Sequence, residues 1–303
     1  MNISSLIGKT KILRLRGIEE KFGLKSGIFA KPESFNPSGS VKDRAALFMI
    51  KSALGEGLID EKGRVIEATS GNMGISLAML SAVFGYSALI VMPENMSPER
   101  QAFIKAYGGE VMLTSAHKGM AGAIERAERL ALDVKNSYMP RQFTNRSNML
   151  AHYKTTGPEI YSDMGGRVDI FICGVGTGGT LSGAGKYLKE RIPSIRLIGV
   201  EPSESAVLSG GSAGSHGIQG IGAGFPPPLL HISLLDEVIT VSTEDAMLCA
   251  RQLACTEGIF AGISSGAALS AAISVAKREE NKGKNIVTLL PDGGEKYLSS
   301  FGD

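Results

Sequence analysis

The sequence predicts an α/β protein with mostly parallel sheets, on three observations. Short apolar runs alternate with helical stretches of ten or more residues, the pattern of strands joined by crossover helices. Glycine accounts for 39 of the 303 residues, nearly twice the usual ~7%, and it gathers in loops that leave apolar runs. The length calls for two domains or one large one, at roughly 100–200 residues per domain.

Residues 1–17 carry Lys9, Lys11, Arg14 and Arg16 with no acid. They lack the apolar core of a secretory signal and read as a basic entry to a short strand at 12–15. Further strands are expected at 27–31, 64–67, 88–92, 110–113, 169–173, 196–200, 238–241 and 285–290. Helices are expected at 44–55, 75–84, 121–134, 180–191, 243–257 and 266–278. The uncharged stretch 71–93 has the length of a membrane span, but Gly85 and Tyr86 divide it into a small-residue helix and a buried strand. A polar segment at 135–148, containing Pro140, is the expected boundary between two α/β units.

Composition narrows the function. With 32 basic and 30 acidic residues the net charge is +2, and no basic stretch is interleaved with aromatics, so a nucleic-acid partner is not expected. Cys173, Cys249 and Cys255 contain no C-x-x-C, which supports neither a disulfide framework nor a zinc ribbon and fits a cytoplasmic setting. His117, His152, His216 and His231 lack metal-ligand spacing, so no metal is assigned.

Four loops carry chemistry. In residues 36–44, NPSGSVKDR, Ser40 is a candidate N-cap with Asp43 completing a capping box. Lys42 then sits in the first helical turn, where the macrodipole disfavours a cation and where a reactive amine gains from losing its proton. Residues 67–74, EATSGNMG, leave a strand and open a helix, so free amides, Thr69 and Ser70 hydroxyls and the Asn72 amide meet at a site for a carboxylate or phosphate. Residues 174–180, GVGTGGT, have the strand–glycine–helix context of a phosphate cradle. They also fit G-x-G-x-x-G, with Glu201 about 20 residues on, so a nicotinamide-dependent oxidoreductase stays open as an alternative. The last loops are GISSG at 262–266, where Ser264 precedes a helix, and PDGGE at 291–295.

Together these loops resemble the cysteine synthase (O-acetylserine sulfhydrylase) family of fold-type-II pyridoxal-phosphate enzymes. The resemblance runs nearly end to end, through LIGKTKILRL, NPSGSVKDRAA, EATSGNMGISLAM, HYKTTGPEI, GVGTGGTLSG, HGIQGIGAGF, GISSGAA and PDGGEKYLS. It implies two three-layer α/β domains like those of the tryptophan synthase β-subunit. The smaller, mobile domain would comprise 1–11 and 35–144, and the larger 12–34 and 145–303. It implies that Lys42 holds the cofactor as an aldimine and removes the substrate Cα proton. Asn72 would bind the ring 3′ oxygen, and Gly176, Thr177, Gly178, Gly179 and Thr180 the phosphate. Ser264 would face the pyridine nitrogen, and Thr69, Ser70, Gly71, Met73, Gln142 and Gly220 would line the substrate site. The implied reaction replaces the acetate of O-acetyl-L-serine by sulfide through an aminoacrylate, giving cysteine. The implied partners are amino-acid substrates, a second copy in a homodimer, and a serine acetyltransferase.

Three departures keep a second reading open. Met73 stands where sulfhydrylases usually have threonine and resembles the cyanoalanine synthase version of the loop. The prolines usual after Gln142 are missing, and Arg146 adds a charge there. Asp292 replaces a more usual serine-containing turn. A same-fold enzyme that takes L-cysteine and releases hydrogen sulfide, forming cyanoalanine, cystathionine or lanthionine or simply desulfhydrating cysteine, is the alternative.

Overall fold

A computed structural model describes residues 2–60 and 62–301. Met1 and Gly302–Asp303, the ends of the two expected domains, lie outside the described residues. In chain order the strands are β1 (Leu13–Arg14), β2 (Gly27–Pro32), β3 (Arg64–Ala68), β4 (Ser87–Pro93), β5 (Glu110–Thr114), β6 (Ser137–Tyr138), β7 (Ile170–Gly174), β8 (Arg196–Pro202), β9 (Glu237–Val241) and β10 (Asn285–Leu290). The helices are α1 (Arg16–Lys21), α2 (Lys42–Gly55), α3 (Asn72–Phe84), α4 (Pro98–Ala106), α5 (Gly119–Asp133), α6 (Arg146–Ala151), α7 (Gly157–Asp163), α8 (Gly179–Arg191), α9 (Thr243–Glu257), α10 (Ile263–Ala276) and α11 (Leu298–Phe301).

The chain forms two compact units. The first takes residues up to Ile7 and Asn36–Asn148. Its sheet has the order β5-β4-β3-β6, and each pairing is parallel. Successive side chains of a strand point to opposite faces, and both faces are apolar here. Val65, Ala88, Ile90 and Met92 pack with α2, α3 and Ile104 of α4. Ile66, Leu89 and Val91 pack with Ala123 and Ala127 of α5. Helix α3 carries no charge and is buried from Met73 to Ser81, as a helix that is apolar all round must be. It ends at Gly85, whose φ of +85° is the left-handed cap that glycine adopts without strain.

The second unit takes Gly8–Phe35 and the chain from Met149 on. Its sheet runs β1-β2-β10-β7-β8-β9, parallel except where β1 pairs with β2. Ile28, Ile172, Ile198 and Ile286 pack with Leu253 of α9 and with Ala267 and Ala271 of α10. The two helices cross closely, because a Cβ on Gly266 would lie 1.9 Å from the Ala246 carbonyl oxygen.

The units divide a few residues from the expected boundaries, for identifiable reasons. Residues 8–11 go with the second unit because the Lys9 amide donates to Glu159 at 2.9 Å and Lys11 pairs with Asp163 at 3.0 Å, both acids being on α7. Residues 145–148 go with the first. There Asn145 Nδ2 donates to Tyr138 Oη and the Pro140 carbonyl, and Asn148 Nδ2 to the Gln142 carbonyl. Five helices among the described residues are not expected from the sequence, α1, α4, α6, α7 and α11; α4 is opened by Pro98 in its first turn, where a missing N–H costs nothing. The uncharged stretch 71–93 is α3 followed by β4, and among the described residues no helix is long and apolar enough to cross a membrane.

Candidate active site

In the first unit the chemistry gathers where β3 hands over to α3 and where α2 begins. Lys42 is half-buried in the first turn of α2. The expected capping box forms with different partners. The Asp43 carboxylate accepts the Ser38 amide at 2.7 Å and the Ser38 hydroxyl, rather than anything from Ser40. Ser40 Oγ makes only a 3.3 Å contact with the Lys42 amide. Asp43 also accepts the Ser76 hydroxyl at 2.6 Å. One fully buried carboxylate thus ties the turn before Lys42 to the second turn of α3.

Glu67 near the end of β3 does the same for another loop. It is 3% exposed, and its two oxygens accept the Arg141 amide at 2.9 Å and the Gln142 amide at 3.2 Å. Burial pushes its carboxyl up to about 7, and these amides with the Arg141 charge pull it only part of the way back. Thr69 and Ser70 follow directly; the Gly71 amide reaches Thr69 Oγ1 at 3.2 Å, and the Arg100 guanidinium donates to the Ser70 carbonyl at 3.1 Å. Asn72 opens α3. The fold therefore brings Gln142 beside the Thr69–Asn72 loop through Glu67, a residue that the sequence reading passed over as part of the strand. Met73 packs inward at the start of α3. Its side chain is 1% exposed and packs in the core with α2 and β4, because position 73 lies on the inner face of a helix buried all round.

In the second unit the loop after β7 is shaped by contacts that exclude side chains. A Cβ on Gly176 would lie 2.4 Å from the Gly220 carbonyl oxygen. One on Gly178, whose φ is +81°, would lie 2.8 Å from the Leu230 backbone. Only glycine fits either place, and the amides that follow open α8, whose N-terminus attracts anions. Thr177 is buried, and its Oγ1 lies 3.4 Å from the Gly179 amide. Thr180 Oγ1 lies 3.2 Å from His152 Nε2, and His152 Nδ1 lies 2.9 Å from Thr156 Oγ1. His152–Thr156 is a π-helical stretch, an arrangement frequent at functional sites. It lies so close to α8 that a Cβ on Gly183 would meet the His152 Cβ and the Tyr153 amide nitrogen at 2.9 Å. The sequence gives His152 no role at the site, although it opens the HYKTTGPEI motif.

Ser264 is 2% exposed in the first turn of α10, and its hydroxyl faces Gly220, whose added Cβ would lie 3.8 Å away. The turn that presents it is held by Asp292. The Asp292 carbonyl accepts the Gly262 amide at 3.0 Å, and its carboxylate accepts the Tyr297 hydroxyl at 2.5 Å. Asp292 in place of the more usual turn residue is therefore a support for the Ser264 loop. Arg146 is exposed. Glu201, the acid that a dinucleotide site needs, is not available: both its oxygens accept backbone amides, Leu208 at 2.8 Å and Ser209 at 2.9 Å.

Residues 3–292 match the family model described as pyridoxal-phosphate dependent enzyme. Cysteine synthase B of Campylobacter jejuni is 49% identical over 298 residues, 98% of this chain and 97% of that protein. Among solved structures, a cysteine synthase of Entamoeba histolytica aligns at a TM-score of 0.95 with 44% identity, over 99% of this chain and 89% of that one. A hydrogen sulfide-producing enzyme of Fusobacterium nucleatum aligns at 0.94 with 45% identity, over 98% and 99%. These matches span both units and each of the loops above, so the nicotinamide alternative falls away. The chain belongs to the pyridoxal-phosphate-dependent enzymes of fold type II, in the cysteine synthase family.

Proposed function

We propose that this enzyme makes L-cysteine from O-acetyl-L-serine and sulfide. The observation that carries the reading is 49% identity to a cysteine synthase over 98% of the chain, with every loop of the candidate site inside the matched length. Bound pyridoxal phosphate supplies a carbonyl for covalent linkage to an amine and a ring that draws electrons from the substrate Cα.

The residues present suit that group. The turn at 176–180 leaves no space for a side chain at Gly176 or Gly178 and opens a helix, so its amides and the Thr177 and Thr180 hydroxyls would take the phosphate, with His152 orienting Thr180. Ser264 would offer the pyridine nitrogen a neutral hydroxyl rather than a carboxylate, which would leave the nitrogen uncharged and suit β-replacement better than transamination. Asn72 would hold the 3′ oxygen. Lys42 would hold the cofactor covalently and then, as a free amine, take the proton from the substrate Cα. Thr69, Ser70 and Gln142, with the Gly71 backbone, would hold the substrate α-carboxylate, and Gly220 would border the site. In this reading both units contribute residues to cofactor binding, with the substrate loop in the smaller one. Pairing into a homodimer, docking of a serine acetyltransferase and a cytoplasmic location belong to the same proposal.

The likeness to a sulfide-producing enzyme supports a second reading, L-cysteine as donor. The two are separated by comparing cysteine formed from O-acetylserine and sulfide with sulfide released from L-cysteine. The first rate is expected to dominate, and the reverse order selects the second reading. Lys42→Ala is expected to keep the fold and to lose at least about a thousandfold in turnover, as removal of a group that acts as both nucleophile and base does. Retained turnover would remove Lys42 from the mechanism.

A further inference from the structure

We propose that Glu67 is a positioning residue for the substrate-carboxylate site, holding the backbone of Arg141–Gln142 against the strand that delivers Thr69 and Ser70. The inference rests on the reading of Thr69, Ser70 and Gln142 given above and adds what holds them together.

Three observations carry it. A buried carboxylate is costly unless its acceptors are filled, and Glu67 fills them with two consecutive backbone amides, one on each oxygen. Arg141 has a φ of +52°, a left-handed conformation that a side-chain-bearing residue adopts only when its surroundings impose it. The Arg141 side chain does not impose it, being exposed and 3.5 Å from Glu128 on the surface. Finally, the carbonyl side of Gln142 is held by Asn148 Nδ2 at 2.8 Å, so the Gln142 peptide is gripped at both ends and its side chain starts from a set position.

Only a group with two acceptor oxygens and no donor satisfies both amides, so the comparison is made above pH 7, where the Glu67 carboxyl has given up its proton. Glu67→Gln turns one oxygen into an NH2 that faces an N–H, so the Gln142 segment is expected to slip. The enzyme with cofactor bound is expected to show a KM for the amino-acid substrate raised about tenfold or more, the cost of one lost positioning contact. Its kcat and visible cofactor absorption should stay within about twofold. In a Gln142→Ala background the same substitution should add almost nothing to KM, because residues that act through one another are not additive.

An unchanged KM with a lower unfolding temperature, or additive effects with Gln142→Ala, would reduce Glu67 to a structural role and overturn the proposal. Should Glu67→Gln not fold, Glu67→Asp, which draws both oxygens back by one methylene, is read the same way. The α-carboxylate is common to O-acetylserine and L-cysteine. KM is therefore read on whichever the wild type uses, and failure of the O-acetylserine reading shows in the wild type alone.

Discussion

The loops after β3 and β7 stand at the same place in their sheets, at the carboxyl ends of parallel strands where α/β proteins bind ligands, yet they are built by opposite means. The loop after β7 is made of backbone. Gly176 and Gly178 touch the chain at Gly220 and Leu230 too closely for any Cβ, so its amides point where packing sends them. The loop after β3 is made of side chains. Gly71 has nothing within 4 Å of an added Cβ; the Arg100 guanidinium holds Ser70, and the Glu67 carboxylate fastens the Arg141–Gln142 segment. A phosphate is always the same shape and suits a rigid cradle. A substrate that arrives and leaves suits a loop fastened by a few polar contacts that can yield.

The sharpest way to break this contrast is Gly176→Ala. Its Cβ would sit 2.4 Å from a backbone oxygen, where no rotamer relieves the clash. Overpacking of this kind costs about 1–3 kcal/mol, and cofactor retained through gel filtration, read by visible absorption, is expected to fall at least about tenfold. Normal retention would show that the cradle is as adaptable as the other loop.

The next effect is electrostatic. Glu67 titrates near 4.5 in an unfolded chain and at about 7 when buried. Between those values the native state keeps a proton that the unfolded state has lost, so stability falls as pH rises through the window. The loss approaches about 3 kcal/mol, at 1.36 kcal/mol per unit. Arg141 and Tyr138, the charged and titratable groups facing it, accompany it without reversing the sign. Denaturant titrations across the window should show this slope in the wild type and not in Glu67→Gln; parallel curves would contradict it.

The smallest effect is expected at Gly71→Ala. With φ at −119° and open space around the Cβ, stability should move by no more than about 0.5 kcal/mol, and cofactor retention should not change. A loss like that of Gly176→Ala would make the two loops alike.

How much was legible beforehand differs between these loops for a physical reason. Every one of the eight main strands, from β2 to β10 apart from the two-residue β6, lies within two residues of its expected bounds, because apolar periodicity and glycine punctuation act over a few residues. Helix α4 stayed hidden because its sequence, PERQAFIKA, buries only Arg100 and Ile104 and offers little apolar stripe. The chemistry of the glycine turns and of Lys42 was visible as motifs. The partners of Asp43, the inward turn of Met73 and the grip of Glu67 on Gln142 were not, since nothing local distinguishes an acid that caps its own helix from one that holds a distant loop.

The sequence by itself determined the alternation of strand and helix, the positions of the ligand loops and the placing of a lysine at a helix start, all set by short-range sterics and burial. Tertiary structure decided which glycines are obligatory and which carboxylates are spoken for. Gly176 meets Gly220, Glu67 meets Gln142 and Glu201 meets Ser209 only after the sheets form. Those contacts, between residues that the chain order does not bring together, turn two similar-looking glycine loops into a rigid cradle and a fastened clamp.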